Sequence, residues 1–260
     1  MPVGAGAHSA RANAKGPHTY FGPAVRIGHG SARVIVTTDK AGQPGAVGVV
    51  FTAGMLEGLP AKPGKDPELD HYYFLNFPRQ GPATGYSHLM VNWHPMGHLP
   101  KGIYTVPHFD FHFYLTDEKS QMAIHYAHPE TMDMTDVTMP AAALMPAGYF
   151  IPPGTQVSEM GVHAVPKSAP ELHGKPFVNT FIYGFPKGQL VFLEPMITRA
   201  WLLKRTSANQ VVALPKQYSL PGYYPTQYRV SYDAKKKLYT VLLGGLKPWQ
   251  AGKLVAMDGR

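Results

Sequence analysis

Three residues able to bind a metal ion or move a proton occupy alternate positions in Pro107-His108-Phe109-Asp110-Phe111-His112-Phe113-Tyr114. Side chains alternate across a β-strand, so His108, Asp110, His112 and Tyr114 share one face, while Phe109, Phe111, Phe113 and Leu115 share the other. The phenylalanine row is a core face. Packing alone would not select the opposite row, and its residue types suit a His/carboxylate metal site or general acid–base work. Spacing limits how the row can act. Positions two apart on a strand are about 6.6 Å apart and positions four apart about 13 Å. His108 and His112 therefore reach one ion only if a bulge or strong curl draws them together. Otherwise an ion takes one histidine with Asp110, and the other histidine serves as an outer contact or binds substrate. Asp110 could also orient an imidazole without touching the ion.

Further candidates lie outside this strand. His98 precedes His108 by ten residues, in a loop that can fold back over the site. His125 falls across a hairpin from His112 if the chain turns over Thr116-Asp117-Glu118-Lys119 and returns through Met122–Tyr126. His163 lies on a later strand, and Glu194 ends another, with Pro195 placed to open a short helix over 196–205. The candidate ligands are His98, His108, His112 and His163, with Asp110 and Glu194 as the carboxylates that move protons. Such a set suits a divalent transition metal (Zn, Cu, Fe or Mn). Two other readings use the same residues: a hydrogen-bonded structural network at a barrel mouth, and acid–base catalysis without metal. There is no Gly-x-Ser-x-Gly elbow, Walker loop or His-Glu-x-x-His motif, and no cysteine, so any metal must be held by nitrogen and oxygen donors.

The elements that must position these residues are short strands. The 27 glycines and 26 prolines are spread along the 260 residues as punctuation, while 44% hydrophobic content supplies a core. Ala32–Thr38 and Val47–Phe51 read as a hairpin across Asp39–Gly42. Val178–Gly184 pairs naturally with Gln189–Glu194, and Tyr228–Tyr232 with Leu238–Leu243. The fold expected is all-β, a cupin-like or double β-barrel or sandwich with one or two short helices. Residues 1–19 read as a flexible N-terminal segment, and 20–260 as a single all-β domain or two fused barrel halves, about 20–139 and 140–260.

The net charge of +8 comes from scattered Lys and Arg with no basic stripe, so nucleic acid is not an expected partner. No apolar run approaches the about 18 residues of a membrane span. The Ala- and Gly-rich first sixteen residues lack the apolar core of a signal peptide. With zero cysteine they lean the expectation towards a periplasmic or extracellular protein.

Several motifs resemble a family of bacterial, often exported, cupin-like all-β proteins. They are Tyr20-Phe21-Gly22-Pro23 with Gly28-x-Gly30, Gly58-Leu59-Pro60, and Gly97-His98-x-Pro100 leading into Pro107–Tyr114. Phe181-Ile182-Tyr183-Gly184, Glu194-Pro195-Met196-Ile197-Thr198 and Tyr224-Pro225-Thr226-x-Tyr228 extend the likeness over most of the chain. His163, after Pro152-Pro153-Gly154, resembles the histidine of a second cupin strand. The resemblance implies an all-β fold, a homo-oligomer and a histidine-centred site at His98, His108, His112 and His163, but no reaction. The usual cupin His-x-His is broken here by Asp110. Two functions follow as expectations. One is a metal-binding protein acting as a hydrolase, lyase or oxygenase. The other is a non-enzymatic envelope or stress protein that binds a saccharide or small hydrophobic molecule on aromatics such as Trp93, Tyr104 and Trp249.

Overall fold

The computed structural model describes residues 16–65 and 69–250. The strands are β1 (Thr19–Phe21), β2 (Val25–Ile27), β3 (Gly30–Thr38), β4 (Pro44–Thr52), β5 (His71–Asn76), β6 (His88–His94), β7 (His108–Tyr114), β8 (Tyr149–Phe150) and β9 (Gln156–Val157). They continue as β10 (Gly161–Pro166), β11 (Asn179–Phe185), β12 (Phe192–Thr198), β13 (Ala208–Val211), β14 (Gly222–Tyr224), β15 (Gln227–Asp233), β16 (Leu238–Gly244) and β17 (Lys247–Trp249). Two short helices, α1 (Glu118–Met122) and α2 (Arg199–Leu203), complete the regular structure apart from single 3-10 turns.

The strands form two antiparallel sheets and a small ribbon. One sheet runs β1-β3-β4-β16-β15-β13, with β2 also on β3; the other runs β5-β6-β7-β12-β11-β10-β8, with β9 on β10; β14 pairs with β17. Both large sheets are open, so of the barrel and sandwich alternatives it is the sandwich that forms among the described residues. The β4–β16 and β7–β12 pairings each join residues from both sides of position 140, so the two halves of the chain share both sheets. At the start, Thr38 Oγ1 donates to the Gly16 carbonyl and the Thr38 N–H to that of His18. Gly16–Thr19 are thereby tied to β3. Residues 1–15, including His8, lie outside the described residues.

Period-two alternation explains the main core. On β3, β4 and β16 the register aligns Ala32, Val34 and Val36 with Phe51, Val49 and Val47, and these in turn with Tyr239, Val241 and Leu243. All are buried, and they face Phe109, Phe111 and Phe113 of β7. Phe51 stacks on Phe111 across the sandwich (6.0 Å between centroids) and on Tyr239 within its own sheet (5.2 Å). The other face of the larger sheet is buried as well, under loops that carry Tyr104, Met160 and Phe177. Every residue of β6, β7 and β12 is consequently buried.

Two local expectations are corrected. The chain after β7 does not return as a strand. Asp117 caps α1, its Oδ1 accepting from the Ser120 N–H at 2.8 Å, and His125 is exposed. Both edges of β7 are taken instead by β6 and β12. The second helix starts at Arg199, capped by Thr198, and Pro195 lies inside β12 with Glu194 beside it in mid-strand. A proline has no N–H for a ladder, and the β7–β12 pairing lapses there: Leu193 pairs with Phe113, and pairing resumes at Met196 with Asp110. The gap falls where Glu194 stands opposite His112.

Candidate metal centre

The outer face of the larger sheet collects the chemistry. Antiparallel partners directly opposite one another share a face. The register sets His94 of β6 opposite His108 of β7, Asn92 opposite Asp110, and Met90 opposite His112. On the other side Met196 of β12 stands opposite Asp110. His163 enters from β10, opposite Gly184 of β11. A Cβ at Gly184 would lie 1.9 Å from the Phe192 ring, so the glycine makes the space into which that ring fits beside His112 and His163. His98 comes from the loop between β6 and β7. Gly97, at φ +71, lets this loop double back against the Tyr104 carbonyl, 2.0 Å from where a Cβ would stand.

Except for His125, the structure brings together every nominated residue but divides them between two groups. His98 and His108 join Asp110, with His94 as a fourth member, and His112 and His163 join Glu194. In the first group, Asp110 Oδ2 lies 3.1 Å from His94 Nε2 and 3.3 Å from His98 Nε2, and Asp110 Oδ1 lies 3.3 Å from His108 Nε2. In the second, Glu194 Oε1 lies 3.3 Å from His112 Nε2 and Oε2 lies 3.6 Å from His163 Nε2. Each carboxylate thus stands among imidazoles, which gives Asp110 and Glu194 the placement of ligands. His94 was missed because the alternation His88, Met90, Asn92, His94 was not set beside that of β7; pairing the two strands would have found it.

The remaining nitrogens orient the rings. His108 Nδ1 meets the Val106 carbonyl at 2.6 Å, His98 Nδ1 the Leu99 carbonyl at 2.6 Å, and His163 Nδ1 the Thr155 carbonyl at 2.8 Å. His94 Nδ1 lies 3.5 Å from Asp70 Oδ2. Carbonyl acceptors fix the proton on Nδ1 of His98, His108 and His163 and leave their Nε2 lone pairs turned inward, the arrangement usual behind metal-bound histidines, whereas His112 Nδ1 is buried without a hydrogen-bond partner. Replacing Asp70 with Asn should weaken metal binding about 10–100-fold with the strand content unchanged, as read by competition against a chromophoric chelator.

The inward atoms are not satisfied by one another. Despite the short contacts, His94 Nε2, His108 Nε2, Asp110 Oδ1, His112 Nε2 and Glu194 Oε2 have no hydrogen-bond partner. Donors about 2.0–2.1 Å from a tetrahedral ion stand about 3.3–3.4 Å apart. The carboxylate–imidazole separations of 3.1 to 3.6 Å match that spacing.

Electrostatics are consistent with this. Burial opposes ionisation of Asp110, but His108, His94 and His98 around it hold its carboxyl well below the usual range. Burial likewise opposes charge on His94, but Asp110 and Asp70 more than offset it, raising its pKa to about 9, so in the metal-free protein His94 is cationic and gives up its Nε2 proton when an ion binds. Burial lowers His108 and His163, which keeps both imidazoles neutral and available as ligands.

Both groups border one cavity of about 50 Å³, lined also by Tyr104, Val157, Met160, Val165, Ile182 and Met196. The aromatics expected to bind a sugar lie elsewhere or are committed. Trp93 packs on Phe109 in the sandwich core and donates to the Pro60 carbonyl, Trp249 packs on Tyr218, and the Tyr104 hydroxyl faces Glu171.

A family model described as TTHB210-like, hypothetical protein TTHB210, matches residues 39–93. This segment spans β4, β5 and most of β6, and it stops one residue short of His94, so it contains none of the seven clustered residues. No curated protein and no solved structure matches the chain. No helix among the described residues is long and apolar enough to cross a membrane.

Proposed function

We propose that this chain is a metalloprotein whose resident divalent transition-metal ion is held by His94, His98, His108 and Asp110. One observation carries the reading: buried donor atoms on three strand and loop segments converge at ligand spacing, and His94 Nε2, His108 Nε2 and Asp110 Oδ1 among them lack a hydrogen-bond partner. A buried polar atom left unpaired costs about 1–3 kcal/mol. A hydrogen-bonded structural network would not leave three in contact. Three imidazoles and a carboxylate suit Zn, Cu, Fe or Mn.

Metal-dependent chemistry on a small substrate, by hydrolysis, lyase action or oxygenation, is the activity this centre favours. Cavity size supports the choice over saccharide binding: about 50 Å³ is far below the roughly 300–1,000 Å³ of pockets that take drug-sized ligands.

Elemental analysis of protein purified without a tag or chelator tests the proposal. At least one transition-metal ion per chain, lost in His108→Ala, is the expected result. No metal after incubation with Zn, Cu, Mn and Fe would overturn it.

A further inference from the structure

We propose that His112, His163 and Glu194 form a second metal site, separate from the first and left open, at which a small anion binds from the cavity; this rests on the metalloprotein reading above. The argument begins with register. Asp110 and His112 are two positions apart on β7, about 6–7 Å along the backbone, and their donor atoms fall into two separate groups. Paired ions that share a bridging oxygen sit only about 3.5–4 Å apart. Neither carboxylate belongs to both groups. The two sites are therefore independent, and they differ in kind.

The first group supplies four protein donors, so an ion there meets a substrate only by expanding its coordination to five or more. The second supplies three, and two imidazoles with one carboxylate leave coordination positions free. The residues themselves call for a ligand. Glu194 turns one oxygen to each imidazole, at 3.3 and 3.6 Å, and its Oε2 and His112 Nε2 have no hydrogen-bond partner although both residues are about 98–100% buried. His163 Nδ1 is engaged by the Thr155 carbonyl, which turns its Nε2 to the same point.

The free positions open onto the cavity, because all three residues line it. A water-sized group takes about 10–15 Å³ by this measure, so about 50 Å³ admits three to five atoms beyond hydrogen. Neither Lys nor Arg lines the cavity; Glu130 borders it, and Val157, Met160, Val165, Ile182 and Met196 supply an apolar wall. A divalent ion with one carboxylate ligand keeps a net positive charge in these surroundings of low polarity. An anion of carbonate, formate or nitrite size is the complementary ligand.

Cobalt(II) loading with azide as the anion probe tests this. Two cobalt ions per chain are expected, and azide should shift the visible d–d bands of one. Glu194→Gln and His163→Gln, nearly isosteric changes, should each bind one cobalt and lose the azide response, with circular dichroism unchanged. His108→Ala should lose the other cobalt and keep the azide response. A wild-type stoichiometry of one that His108→Ala abolishes would overturn the second site and leave the first standing. An azide response that survives both Gln variants would also overturn it. Zero cobalt would remove the metalloprotein reading itself.

Discussion

Loading the protein with a divalent transition-metal ion should raise the melting temperature by on the order of 10 °C. A ligand that binds only the folded state stabilises it by RT ln(1 + [L]/Kd), about 4 kcal/mol when the free ion is held a thousandfold above its dissociation constant. For a chain of this size each kcal/mol moves the midpoint by about 2–4 °C. The energy comes from atoms the fold has already assembled. His94 Nε2, His108 Nε2 and Asp110 Oδ1 are buried without partners, so the metal-free fold bears their desolvation while an ion removes it. The donors belong to β6, β7 and the loop between them, which makes the ion a cross-link between neighbouring strands. Calorimetry at two buffered free-ion concentrations checks the expectation. The midpoint should rise with ion activity in the wild type and rise by less in Asp110→Asn, which keeps only the group at Glu194. An equal response from the two proteins would mean that the ion binds elsewhere.

The local grammar of this fold was legible in the sequence, and its long-range pairing was not. The two-faced character of β7 follows from alternation alone, and so do the hairpins β3–β4, β11–β12 and β15–β16, because each joins near neighbours across a turn. What no periodicity reveals is that β7 lies beside β12, whose paired residues are 78 to 90 positions away. That pairing sets Glu194 opposite His112 and turns a carboxylate thought to close a strand into one buried in its middle. It also explains why one strand serves two sites. With β6 on one side and β12 on the other, the upper part of the His108–Asp110–His112 row draws His94 from β6, and the lower part draws Glu194 from β12. The bulge or curl that would bring His108 and His112 to one point is absent from β7, whose pairing with β6 runs unbroken from His108 to Tyr114, so the row divides between two groups. His98 was legible because Gly97 and the prolines around it mark a tight loop. His94 was not nominated, since the strand carrying it was not aligned with its partner.

Phe111→Ala should lower stability by about 3–5 kcal/mol, the range for truncating a buried phenylalanine, and the midpoint by about 6–20 °C. Phe111 is fully buried and stacks on Phe51, which in turn stacks on Tyr239, so its ring ties the metal-bearing sheet to the other across the sandwich. The consequence reaches the opposite face of the strand. Phe111 lies between Asp110 and His112 in the chain, and a ligand set tolerates errors of only about 0.5 Å. A cavity beneath the strand lets its backbone settle towards the smaller side chain, which moves donors on both sides of position 111. Neighbouring positions couple by about 0.5–3 kcal/mol, so the stabilisation gained from the ion should shrink by that amount in Phe111→Ala. Val49→Ala, on β4 in the facing sheet, removes buried volume from the same core without touching β7 and should leave the gain from the ion intact. Urea denaturation of each variant, with and without the ion, measures both quantities in one thermodynamic cycle. An undiminished gain in Phe111→Ala would show that the outer face keeps its ligand geometry without support from the core, and that β6 and β12 alone hold the donors in place.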